Sequence, residues 1–154
     1  MVSKTGDLSI IGTDLEKILA EGNAVRVKPQ GFSMYPIVVP GRDEVIIEPI
    51  ENKKLKRGDV ALYRREGSIL VLHRIWKRRG DDFYFVGDNQ TEVEGPLPLT
   101  QIKGVMVFLI RKGKEIPVTH PGYVLLTRGW LFLRPFRQPI KKVAKFFKNR
   151  KSGN

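Results

Sequence analysis

Val60-Ala61-Leu62-Tyr63-Arg64-Arg65-Glu66-Gly67-Ser68-Ile69-Leu70-Val71-Leu72-His73-Arg74-Ile75-Trp76 carries the clearest architectural signal in the chain. Two apolar runs, Val60 to Tyr63 and Ile69 to Trp76, flank Glu66-Gly67, so the segment reads as a hairpin of two strands. Arg57-Gly58-Asp59 is a turn ahead of the first strand, with Asp59 placed to cap it. Phe83 to Val86 follows a Gly80-Asp81-Asp82 turn, and Gly104 to Arg111 runs into another turn near Gly113. Upstream, Ala24 to Lys28 alternates apolar and basic residues, and Val45 to Ile47 ends at Glu48-Pro49. Short strands separated by turn signals predict a mainly β domain, a small barrel or coiled sheet.

Both ends differ from this pattern. Thr13 followed by Glu16 is a capping box ahead of Leu15, Ile18 and Leu19, which predicts one short N-terminal helix stopping at Gly22. Beyond residue 120 the composition changes. Residues 1–120 hold 19 Lys+Arg and all 16 Asp+Glu, a net +3, whereas residues 121–154 hold 9 basic residues and no acid. Residues 1–120 are therefore expected to form the domain, and 121–154 a basic C-terminal extension. Within it, Ile140, Val143, Ala144 and Phe147 share a helical face opposite Lys141, Lys142, Lys145 and Lys148. This is the pattern of an amphipathic helix lying on an anionic surface. Aromatic residues there sit with aliphatic ones on the apolar face instead of forming stacking platforms, which favours lipid headgroups over nucleic acid. Tyr123 to Leu133 is interrupted by Arg128 and is too short to span a bilayer, and no secretory signal peptide is read at the start. Peripheral contact with a membrane, on its cytoplasmic face, is the expectation.

The chain of 154 residues has no cysteine and two histidines, His73 and His120. Thiolate chemistry and disulfides are excluded on that ground, two histidines argue against a histidine-rich metal site, and neither a metal nor a cofactor is expected. His120, in Thr119-His120-Pro121-Gly122, is read as a structural or surface residue.

Chemistry is suggested by three segments taken in order. Ser33 stands in Gln30-Gly31-Phe32-Ser33-Met34-Tyr35-Pro36, His73 lies inside an apolar strand, and Asp88 stands in Gly87-Asp88-Asn89 at the end of another. Each alone is ordinary: a turn serine, a core histidine, a turn acid. Together, Ser33-Met34-x-Pro36, Gly58-Asp59-Val60, His73-Arg74 and Gly87-Asp88-Asn89 resemble the ordered motifs of signal peptidase I across about residues 25–108. With histidine where many bacterial members have lysine, the chain is similar to the branch found in archaea, the endoplasmic reticulum and some spore formers.

That resemblance implies a mainly β peptidase domain with Ser33 as nucleophile and His73 as general base. Neutral imidazole can take a serine proton near neutral pH and return it to the leaving amine. Asp88 would orient the imidazole, and the Ser33 N–H would serve the oxyanion. Gly31 stands where relatives often offer a second hydroxyl, and Glu92 or Glu94 stands near the position of a second acid, with Glu94 favoured. Arg74 is expected to be an ion-pair partner. An extended peptide could pair with a strand beside the nucleophile, with Phe32, Met34, Tyr35 and residues of Val60 to Tyr63 lining its pockets. The expected substrate is a peptide or protein carrying a signal or leader segment.

Two other readings fit part of the pattern. A self-cleaving repressor-type domain shares fold and serine, but uses lysine and follows a helix-turn-helix, for which one short helix is too little. An inactive binding module with a basic tail is the other.

Overall fold

The structure, a computed structural model, describes residues 15–50, 54–65 and 69–136. It is an open antiparallel sheet flanked by two helices. Residues 15–20 are helical (α1), and the strands are β1 Val25–Val27, β2 Asp43–Glu48, β3 Val60–Arg64, β4 Leu70–Arg79, β5 Asp82–Val86, β6 Glu94–Pro98, β7 Ile102–Arg111 and β8 Lys114–Pro117. Helix α2 then covers Pro121–Phe132. The mainly β expectation holds, in its coiled-sheet form: the order β1-β2-β7-β3-β4-β5-β6 does not close.

The long strand β7 organises the sheet. One of its edges pairs with β2 from Val105 to Arg111, and the other is shared, with Ile102 to Val105 beside β3 and Phe108 to Arg111 beside β8. Side chains on its two faces therefore enter different cores. One core gathers Leu15, Leu19, Val45, Ile47, Leu62 and Met106 with Met34, Ile37 and Val38. The other gathers Ala61, Tyr63, Val71, Ile75, Phe83 and Phe85. Strand β3 contributes Val60 and Leu62 to the first and Ala61 and Tyr63 to the second. Burial on both faces is why Val60 to Tyr63 reads as a continuous apolar run and not as an alternation.

Helix α1 ends as the sequence predicts. Gly22 takes φ +89°, and the N–H groups of Gly22 and Asn23 donate to the carbonyls of Leu19 (3.0 Å) and Ile18 (3.1 Å), a paired closure that glycine accepts without strain. Thr13 lies outside the described residues. Its expected partner Glu16 accepts two bonds from Arg64, at 2.6 and 2.9 Å, and so ties α1 to β3.

Helix α2, which opens the expected extension, packs against the first core through Tyr123 and Trp130. His120 caps it by accepting from the Gly122 N–H at 3.1 Å, with Pro121 in the first turn. Tyr123, Thr127 and Leu131, each four residues apart, are its buried stripe. Trp130 Nε1 donates to the Asp88 carbonyl at 2.7 Å, and Arg134 reaches the Thr91 carbonyl. The helix expected near Ile140 to Lys148 lies outside the described residues.

Candidate functional site

Ser33 sits in the loop between β1 and β2. Gly31 has φ +74°, a conformation in which a side chain would be strained. After it the backbone curls: Tyr35 N–H donates to Phe32 at 3.1 Å, and Ile37 and Val38 donate to Met34 at 3.1 and 2.9 Å. The Ser33 N–H stays outside this ladder. Met34, Ile37 and Val38 are buried and anchor the curl in the first core.

An ionic cluster holds its far end. Asp43, fully buried, accepts from the Val39 N–H at 2.8 Å, from Arg42 and from Arg111, and Arg111 also donates to the Ile37 carbonyl at 3.0 Å. Burial alone would raise the Asp43 pKa, but bonds from Arg111, Arg42 and Val39 outweigh it and hold the carboxyl at about 2.

The Gly87-Asp88-Asn89 loop clamps the serine from the other side. Asn89 N–H donates to the Ser33 carbonyl at 2.8 Å. A Cβ on Gly87 would stand 2.7 Å from that same carbonyl oxygen and 2.8 Å from Gln90 Oε1, so only glycine permits this approach. The first and last motifs of the sequence pattern are thus in direct contact.

His73 lies on β4 opposite Ala61 of β3 and is 4% exposed. Strand β5 pairs with β4 only from Arg74 onward. Among the described residues, the backbone of Leu70 to His73 therefore has β3 on one side and no strand on the other. Ser33 and His73 both line a largely apolar cavity of about 230 Å³ beside this edge, with Met34, Leu62, Leu70 and Leu72. His73 also faces a second, polar cavity with Arg65, Asn89, Gln90 and Glu94.

The imidazole's polar contact differs from the expected one. His73 Nδ1 is 3.0 Å from the Tyr63 hydroxyl, which donates to Glu94 Oε2 at 2.6 Å. Glu94 is gripped by Arg65 through Nε at 2.8 Å and Nη2 at 2.9 Å. The Arg65 bonds hold Glu94 below its usual carboxylate range, and burial together with Glu94 raises the Tyr63 hydroxyl above its own. Burial lowers His73 to about 4, with Glu94 and Asp88 pulling upward and Arg65 downward, so the imidazole is neutral at pH 7.

Asp88 does not hold Nδ1. Successive side chains on a strand face opposite ways, so Arg74 leaves β4 on the side away from Tyr63. There its Nε and Nη2 donate to the two Asp88 oxygens, each at 2.7 Å, with both side chains 1% exposed. Burial opposes the Arg74 charge, and Asp88 more than restores it. Arg74 is the ion-pair partner that was expected, and Asp88 is its counter-ion. Asp59 accepts from the Lys56 N–H at 2.9 Å and caps its turn.

The three expected pocket residues separate. Met34 lines the cavity, whereas Phe32 and Tyr35 are 63% and 46% exposed and meet each other edge to face. From Val60 to Tyr63, Leu62 alone reaches the cavity wall. Arg65 was missed as a site residue, and Tyr63 was expected as a pocket wall and not as the partner of His73. Their signal was the hairpin register: Tyr63 pairs with Val71, which puts it diagonally next to His73 on one face.

No protein-family model matches this chain, and no curated protein matches it. The residues of the site carry the functional reading.

Proposed function

We propose that the chain is a serine endopeptidase of the signal-peptidase type, cutting a peptide or protein in a signal or leader segment with Ser33 as nucleophile and His73 as base. The observation that carries this reading is the shared cavity: a half-buried serine and a neutral buried histidine line one apolar space beside a strand edge that no described strand pairs. Leu70 to His73 would pair an extended substrate by main-chain hydrogen bonds while one of its side chains enters the cavity. Attack by the Ser33 oxygen on the scissile carbonyl transfers the hydroxyl proton to His73, which returns it to the departing amine. The acyl-serine ester is then hydrolysed by water through the same base. A peptidyl phosphonate with an apolar side chain at the cut is the direct test. Wild-type protein should form one adduct, mapped by mass spectrometry to Ser33, and His73→Ala should not. An adduct on another residue, or none, would defeat the assignment.

No helix among the described residues is long and apolar enough to cross a membrane. Peripheral contact with an anionic bilayer is supported by the outer face of α2, where Leu125, Leu126 and Phe132 are 77%, 55% and 74% exposed. The 9 basic residues and absence of acid over 121–154 supply charge of the matching sign. The protein should sediment with vesicles containing phosphatidylserine, less so at high salt, and Leu125→Ser with Phe132→Ser should weaken this. Sedimentation that is indifferent to both changes would remove the membrane reading.

A further inference from the structure

The Tyr63 hydroxyl has one proton, and its destination fixes the state of its neighbours. Glu94, held by two bonds from Arg65, is a carboxylate and can only accept. The 2.6 Å contact between Tyr63 and Glu94 Oε2 therefore takes the hydroxyl proton. At the 3.0 Å contact with His73 Nδ1, the tyrosine oxygen is left as acceptor, so Nδ1 must carry the hydrogen. A neutral imidazole bears one N–H, which leaves Nε2 with its lone pair. General-base action on a hydroxyl needs that lone pair.

We propose that Tyr63, polarised by Glu94 and Arg65, is the positioning residue that sets the tautomer and ring orientation of His73. This inference rests on the peptidase reading for its purpose but not for its chemistry. Tyr63 is well built for the task. Its ring is fully buried and packs on Phe85 at 4.4 Å between centroids, and β3 holds it in register with β4. The polarity of the chain depends on Arg65. Without that cation, a Glu94 that gained a proton could donate to the tyrosine oxygen, turn the hydroxyl toward Nδ1 and move the imidazole proton to Nε2. The charged groups acting on His73 are Glu94 on β6, Arg65 just beyond β3 and Asp88 after β5.

The test uses Tyr63→Phe, which keeps the ring and removes the hydroxyl. In ring-¹⁵N spectra of the wild-type protein at pH 7, His73 should be protonated at Nδ1 and bare at Nε2. In Tyr63→Phe the Nε2–H form should become populated, because the acceptor at Nδ1 is gone. In parallel, kcat should fall roughly 10²-fold or more with KM little changed, the mark of a base held in the wrong state. Glu94→Leu should reproduce both effects. An Nε2–H imidazole in the wild type would overturn the proposal, and so would a Tyr63→Phe variant with unchanged tautomer. The spectra need no turnover, so they answer even if Ser33 proves not to be a nucleophile. That separate failure would show as peptide cleavage surviving Ser33→Ala.

Discussion

Ser33→Ala and His73→Ala should each lower kcat by roughly 10⁴- to 10⁶-fold, and the double variant should be no worse than either alone. Members of a nucleophile–base pair act as a unit, so losing one leaves nothing further for the other to contribute. The pH profile gives a second, independent signature. A histidine acting as base works only when unprotonated, and burial holds His73 at about 4. Wild-type kcat/KM should therefore rise as pH climbs through about 4 and be flat through 6.5, where a solvent-exposed histidine would still be titrating. An acid limb centred near 6.5 would contradict the buried, neutral state of the imidazole. Additive losses in the double variant would mean that the two side chains act separately.

The other large effect falls on stability. Arg74→Met should cost about 3–5 kcal/mol, because it leaves the Asp88 carboxylate buried with no cation. Arg74 also donates to the Gly58 carbonyl at 2.8 Å, so the turn ahead of β3 loses a bond as well. Replacing both members, Arg74→Met with Asp88→Leu, should restore part of that loss, since no isolated charge remains. Chemical denaturation at pH 7 measures each step. A loss below about 1 kcal/mol would mean that water or another cation reaches Asp88. The same pair separates the two roles considered for Asp88. As a counter-ion, Asp88→Asn lowers stability while the folded fraction still turns over. As an orienter of the imidazole it would lower kcat in a protein of normal stability.

Much of the architecture was legible because the chain marks its turns with glycine and its strands with apolar runs. Residues 60–63, 69–76, 83–86 and 104–111 all fall within or beside strands of the sheet. Strand β6 was not legible: Glu94-Gly95-Pro96-Leu97-Pro98 contains two prolines and a glycine, and it forms only as an edge paired with β5. Strand β8, Lys114–Pro117, is shorter still, at 4 residues, and none of them is buried. Helix α2 was hidden because its buried stripe of Tyr123, Thr127 and Leu131 includes a threonine and its outer face is apolar. Ser33 and His73 were found through ordered motifs, and the cavity they share was within reach of that reading. The partner of Nδ1 was not, since it depends on three long-range contacts among Tyr63, Arg65 and Glu94. Motif order pointed to an acid, and the nearer acid in sequence was already committed to its arginine.

The placement of imidazole and guanidinium on opposite faces of β4 also constrains how the hairpin can assemble. Sliding that strand by one residue against β3 would send a permanent cation toward Tyr63 and deliver an imidazole to Asp88. Such a misalignment would strand one carboxylate without its arginine and confront the tyrosine with a charge it has no means to match. Alignment errors are thus rejected by the interior itself, and a chain that has reached its folded state has, by that fact, turned the His73 imidazole toward Tyr63.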